Sequence, residues 1–235
     1  MTMKVSLCLL TLNELAGCVH DVPRLQREPF NDVFAVDGGS TDGTVEYLRS
    51  QGVATHRQDG SGYNNAYITA FDRCSGDALV FFHPKGSIDP RDVLKFRAYL
   101  ERGYDLVIAS RIMRGGRNEE DGRVFKPRKW CVVGAALLAA AFWRREGNMI
   151  WDVLHGCRAM RKDAFLAIEP LRQGLSIDLE MVARSYRQRM RRIEFPVHET
   201  ARMHGATHFR AVATGRQLAR YLAFELSRTA SSRMR

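Results

Sequence analysis

The sequence predicts an α/β fold in which a mixed, mostly parallel sheet is covered by helices on both faces. Three observations lead there. Short apolar runs alternate with helical segments through the first half of the chain. Those runs are continuously apolar, as strands buried on both faces should be. The 235 residues also suffice for one such domain with a modest appendage.

The strand segments in order are residues 5–12, 33–37, 53–57, 78–82 and 106–110. A helix after Thr41-Asp42 stops at Gly52, and another opens with Asp89 as N-cap and Pro90 at the first helical position, ending near Gly103. The polar, glycine-rich stretch 115–122 reads as a loop. Residues 130–143 carry no charge and are bracketed by Arg128-Lys129 and Arg144-Arg145. That run is too short to span a bilayer and suits a buried or interfacial helix at 128–145. Helices at 163–168 and 176–189 and a strand at 192–197 follow, then an irregular stretch over 198–208. The tail from 209 to 228 can form a helix with Phe209, Val212, Ala213, Leu222 and Leu226 on one side and Arg210, Arg216 and Arg220 among its polar positions. The division expected is a domain over 1–210 and a basic amphipathic helix and tail over 211–235.

Lys and Arg number 36 against 26 Asp and Glu, a net charge of +10 that favours anionic partners, with a plain solvated basic surface as the alternative. Five widely spaced cysteines without a CxxC pair predict reduced thiols in a cytoplasmic protein, not a disulfide framework or zinc site. The N-terminus has no small-residue cleavage site, so no signal peptide is expected. No module with aromatics interleaved among basic residues suggests nucleic acid. His204 and His208 have metal-pair spacing, but Gly205 and Thr207 between them argue for a loop.

The strongest chemical signal is Val36-Asp37-Gly38-Gly39-Ser40-Thr41-Asp42-Gly43-Thr44, directly after a strand. It would set a carboxylate at the strand's C-terminal edge, where open α/β sheets bind ligands. An EF-hand is excluded, because the alternating ligands and terminal Glu are missing. Thr11-Leu12-Asn13-Glu14 places a hydroxyl, an amide and a carboxylate at the same edge.

These two motifs together resemble those of the family 2 glycosyltransferases, which implies a GT-A fold, a Rossmann-like three-layer sandwich. Gly60-Ser61-Gly62 resembles the family's turn after the third strand, and three further segments resemble the polyprenyl-phosphate sugar synthases, the dolichyl-phosphate mannose synthase group. They are Asp152-Val-Leu-His-Gly156-Cys-Arg158, Asp178-Leu-Glu180, and Arg202-Met-His-Gly205-Ala-Thr207-His208, so the likeness covers most of residues 3–210. One departure stands out. The family's fourth strand ends in D-x-D, which holds Mg²⁺ or Mn²⁺, whereas here residues 78–82 run into His83-Pro84-Lys85.

The resemblance implies that a hexose passes from a UDP- or GDP-sugar to a polyprenyl phosphate with inversion, at the inner face of an anionic membrane. Thr11, Asn13, Glu14, Asp37, Gly39, Ser40 and Asp42 would hold the nucleotide. Arg202 and His208 would join Lys85 on the diphosphate, with Lys85 in the metal's place. Asp178 and Glu180 would grip sugar hydroxyls, and Arg111, Arg128, Asp152 and Arg158 would form the acceptor side. His83 and His155 would make ordinary polar contacts. Two alternatives stay open: a non-catalytic scaffold, which the lost D-x-D supports, and a transferase with a soluble acceptor. The oligomeric state is open too, a homo-oligomer included.

Overall fold

The computed structural model describes residues 3–122, 124–201 and 211–233. In chain order the elements are β1 (Val5–Thr11), α1 (Leu15–Asp21), β2 (Asp32–Asp37), α2 (Thr44–Ser50), β3 (Ala54–Arg57), α3 (Tyr63–Arg73), β4 (Ala78–Phe82), α4 (Val93–Glu101), β5 (Leu106–Ser110), α5 (Pro127–Trp143), β6 (Arg158–Arg161), α6 (Lys162–Ala167), α7 (Ile177–Arg187), β7 (Arg192–Pro196) and α8 (Ala211–Arg233). The strands form one seven-stranded sheet in the order β3-β2-β1-β4-β6-β5-β7. Among the described residues only β6 runs antiparallel, against both β4 and β5. The mixed, mostly parallel sheet is the one expected.

Alternate residues of each strand feed two cores. Cys8, Leu10, Phe34 and Phe81 face a layer built from α3, α5, α6 and α7. Leu7, Leu9, Val80 and Phe82 face α1, α2 and α4. β1 and β4 are entirely buried, which explains their uninterrupted apolar runs. From β1 the chain steps to β2 on one side, and β4 lies on the other. The crevice between the C-terminal ends of β1 and β4 is therefore the switch point where such sheets bind ligands.

Three expectations are modified. Asp89 caps as predicted, accepting from the Arg91 N–H, but it opens a 3-10 turn and α4 begins only at Val93. The segment 152–158 ends in a strand, β6, that its composition hid: a four-residue strand with arginine at both ends shows no period. α5 buries Val132, Ala136, Ala139 and Trp143 on its inner side, so of its two tryptophans only Trp130 is exposed.

α8 is docked. Leu218 and Tyr221 are buried, and Leu222 and Leu226 pack against the same core. Glu225 is wholly buried and pairs with Arg184 and Arg187 of α7. Arg216 and Arg220 stay exposed. Phe209 and Arg210 lie outside the described residues. Among the described residues no helix is long and apolar enough to cross a membrane. Four cysteines are buried and Cys131 is exposed on α5.

Candidate active site

Thr11 ends β1, Asp37 ends β2, and the parallel register sets them side by side. The Thr11 hydroxyl donates to Asp37 Oδ2 at 2.8 Å. The Gly39 and Ser40 backbone N–H groups donate to Oδ1 at 2.8 and 2.7 Å, and the Ser40 hydroxyl donates to Oδ2. A carboxylate offers about four acceptor positions, so these bonds fill it. Asp37 is thus the anchor of the turn, which Gly39 makes possible at φ +102°.

The two loops are also stapled to each other. The Asn13 N–H donates to Ser40 Oγ and its Oδ1 accepts from the Thr41 N–H, both at 2.8 Å. Asn13 sits at φ +53°, a conformation asparagine tolerates better than most residues. Asp42 accepts from the Leu15 N–H and from the N–H and hydroxyl of Thr44. Some burial opposes it, but these hydrogen bonds hold the Asp42 carboxyl below the usual range. The Glu14 N–H donates to Thr44 Oγ1 at 3.0 Å, and Glu14 itself is buried. A cleft of about 950 Å³ opens here, lined by Asn13, Glu14, Leu15, Gly17, His20 and Asp42 among others.

The end of β4 is built differently. His83 is half-buried, its Nε2 3.5 Å from the Tyr63 hydroxyl. Gly156 closes over the same imidazole, since a Cβ there would stand 2.4 Å from Nε2. The next three residues are gripped by α1. A Cβ on Gly17 would meet the Pro84 carbonyl oxygen at 2.1 Å, and the Gly86 N–H donates to Asp21 Oδ2 at 2.8 Å. Lys85 lies between those two contacts.

A divalent ion does not fit this strand end. A hard cation wants oxygen ligands, and the turn offers an imidazole and an ammonium. Among the described residues no group of three His, Cys, Asp or Glu side chains could hold a metal.

Facing the turn is Asp178, in the first turn of α7. Its Oδ1 accepts from the Tyr67 hydroxyl at 3.1 Å and pairs with Arg158 Nε at 3.2 Å. Burial pushes its carboxyl above the usual range, while Arg158, the hydroxyls of Tyr67 and Tyr63, and the Lys85 ammonium act to lower it. The charge of Lys85 thus reaches Asp178, which is itself buried.

With the fold and this rim in view, the chain can be set against known proteins. The profile described as Glycosyl transferase family 2 matches residues 6–168. The chain belongs to that family. Glycosyltransferase AglJ of Haloferax volcanii is 30% identical over 181 residues, covering 75% of this chain and 57% of AglJ. The low-salt glycan biosynthesis hexosyltransferase Agl6 of the same organism is 26% identical over 187 residues, covering 76% of this chain and 43% of Agl6. The chain thus spans little more than half of one curated relative and less than half of the other. Among solved structures, glucosyl-3-phosphoglycerate synthase of Mycobacterium tuberculosis, with Mn²⁺, UDP-glucose and phosphoglyceric acid, superposes with a TM-score of 0.71. That match has 20% identity and covers 92% of this chain and 77% of that one, a likeness of fold.

Not every residue expected in a family 2 site reaches the crevice. Glu180 is fully buried, accepting from the Leu171 N–H at 2.9 Å and Asn64 Nδ2 at 3.1 Å and pairing with Arg184. It ties α3 to α7 and offers nothing to a sugar hydroxyl. Arg158 is equally enclosed, its guanidinium donating to the carbonyls of His155 and Asp178. Arg111 is bidentate to Asp152, with distances of 2.8 and 2.9 Å, and also holds Glu199 at 3.0 Å. Two carboxylates already neutralise it. Asp152 and Arg158 are thus enclosed within the fold and not open to the crevice. Arg128 is exposed and paired with Glu119. Arg202 and His208 lie outside the described residues.

Sequence reasoning missed Tyr63, Tyr67, Glu194 and Glu199. Glu194 accepts the Trp151 and Asp152 N–H groups at 2.8 and 2.7 Å, which sets the loop that carries Asp152. It missed Gly17 and Asp21 as well, although both carried a signal. A glycine within a short helix is costly, and an acid in a helix's last turn opposes the macrodipole.

Proposed function

We propose that this family 2 domain transfers a hexose from a UDP- or GDP-sugar to a polyprenyl phosphate, peripherally at the inner, anionic face of a membrane. The nucleoside lies on the Thr11–Glu14 and Asp37–Asp42 loops, and the diphosphate extends toward Lys85. The acceptor phosphate attacks the anomeric carbon in line, with inversion, as the nucleoside diphosphate leaves. A phosphate acceptor is already ionised at neutral pH, so the step needs positive charge at the leaving group more than a strong base. Lys85 supplies that charge as a fixed point cation. Asp178, held by Tyr67 and Arg158, is the carboxylate placed to accept from sugar hydroxyls.

The observation that carries the lipid reading is the outer face of α5. Trp130, Leu137, Leu138 and Phe142 are all exposed there, and Phe125 just before the helix is exposed as well. Such a contiguous apolar face marks an interaction surface. The basic residues Arg128, Lys129, Arg144 and Arg145 at its ends suit anionic headgroups. Arg128 can exchange its solvent-exposed partner Glu119 for the acceptor phosphate, because exposed pairs hold weakly.

The test is transfer from a panel of UDP- and GDP-sugars to polyprenyl phosphate, with and without EDTA. Transfer that survives EDTA supports Lys85 in the metal's place, and transfer abolished by EDTA refutes that assignment. Tight nucleotide binding with no transfer to this acceptor shifts the reading to a soluble acceptor or a scaffold. In flotation with anionic vesicles the chain should rise with the lipid, and Leu138→Glu with Phe142→Glu should stay behind. Equal flotation of both proteins would remove α5 from the proposal.

A further inference from the structure

We infer that α1 is a spacer that registers Lys85 against the nucleotide loops, with Asp21 and Gly17 as its positioning residues. This rests on the proposed role of Lys85 at the diphosphate.

α1 meets the cleft at three places along one short rod. At its start, Glu14 and Leu15 are bonded through their N–H groups to Thr44 and Asp42 of the nucleotide loop. At its middle, Gly17 lets the helix backbone touch the turn, since any Cβ would stand 2.1 Å from the Pro84 oxygen and 2.8 Å from Lys85 Cα. At its end, Asp21 Oδ2 accepts the Gly86 N–H at 2.8 Å. The last two contacts bracket Lys85 on its N- and C-terminal sides. From Leu15 to Asp21 the rise is roughly 9 Å.

Asp21 Oδ1 lies 2.8 Å from Nδ1 of the adjacent His20, and Oδ2 makes the bond across the fold to Gly86. Asp21 is fully buried, and burial raises its pKa despite the neighbouring His20 and the Gly86 amide. It also ends a helix, where the macrodipole disfavours an acid. A buried carboxylate persists only where its bonds are needed, and the bond it makes across the fold is to the residue after Lys85. Gly86, at φ +67°, takes the conformation that lets that N–H point back to α1. Movement of α1 would therefore move the cation relative to the nucleoside.

The experiment compares affinities for nucleoside mono- and diphosphates, using UMP with UDP and GMP with GDP, in the wild-type chain and four variants. The quantity read is the gain in affinity that the second phosphate brings. Lys85→Ala should abolish that gain. Asp21→Ala and Gly17→Ala should each cut it about tenfold while monophosphate affinity holds within about twofold. Asp21→Asn should retain the gain within about threefold, because its amide oxygen still accepts the Gly86 N–H. An unchanged diphosphate gain in Asp21→Ala and Gly17→Ala, beside its loss in Lys85→Ala, would overturn the inference and leave the Lys85 reading intact. Equal weakening of both nucleotides would reduce α1 to a structural element and overturn it too. A gain unaffected by Lys85→Ala would instead refute the reading on which the inference stands. Should Asp21→Ala not fold, Gly17→Ala and Asp21→Asn carry the same comparison.

Discussion

The rim at the ends of β1 and β2 and the rim at the end of β4 face one crevice but are ordered in opposite ways. In the first, order is local to two loops: Asp37 is filled by Thr11, Gly39 and Ser40, and Asn13 crosses to Ser40 and Thr41. In the second, order is imported. The His83–Gly86 turn is held by Gly17 and Asp21 of α1, by Tyr63 of α3 and by Gly156 before β6. A self-contained loop can present its groups to a ligand whatever the rest of the domain does. An imported geometry couples the position of a charge to the packing of distant elements, which suits the role proposed for Lys85 of meeting charge that develops at a fixed point.

The largest test of this contrast is Lys85→Ala. Loss of one preorganised charge at the leaving group should lower kcat by roughly 10²- to 10³-fold, with little change in melting temperature, since the side chain is only half-buried. Steady-state kinetics beside a thermal melt checks it, and an unaltered kcat would remove Lys85 from the leaving-group role.

Asp37→Ala should act the other way round. It strips the acceptor from four donors at once and should destabilise the fold by about 2–4 kcal/mol, measured by urea unfolding. Nucleotide affinity should fall with it, because the loop loses its shape. If Asp37→Ala kept full stability and lost only nucleotide affinity, the carboxylate would be a ligand contact and not the loop's anchor. Thr11→Val, which removes one of those donors but keeps the shape, should cost about 1 kcal/mol in the same assay.

The contrast also explains what the sequence revealed. The β1 and β2 motifs were readable because their bonds join residues within two short segments next to strands, where spacing in sequence is nearly spacing in space. The parallel sheet was readable for a similar reason, since strands buried on both faces are apolar without interruption. β6 was not, because four residues with arginine at both ends carry no period. The burial of Asp152, Arg158 and Glu180 was not legible, for one physical reason. Their residue types and order suggested ligand contacts, while all three are fully buried and bonded to residues distant in the sequence. The partners of Glu180 include Asn64, 116 residues away, and no local pattern announces such a bond.

The last test lies at Arg111, Asp152, Glu199 and His155, which form a third kind of rim, largely buried and paired. Burial first, and then the Arg111 charge, lower the His155 pKa from 6.5 to about 4, with its Nδ1 against the Ala109 carbonyl. The folded state therefore binds fewer protons than the unfolded chain between about pH 6.5 and 4. This group's contribution is whole above about pH 6.5 and is lost as pH falls toward 4. Asp152 follows at lower pH. Burial raises its pKa but Arg111 outweighs that, bringing it to about 2, so its contribution is present above the ordinary carboxylate range and lost as pH falls toward 2. Asp178, Glu180 and Glu194 oppose this trend, because burial raises their pKa values and favours the folded state on acidification. Subtracting one protein from another removes those shared contributions. Urea-unfolding stability should fall more steeply in the wild type as pH is lowered from 7 to 4 than in His155→Asn, which keeps an amide donor near Ala109 but cannot take up a proton. The difference in slope should approach at most about 1.4 kcal/mol per pH unit, the value for one proton. Parallel curves would mean that His155 protonates as readily in the folded chain as in the unfolded one, and that this part of the rim is open to water.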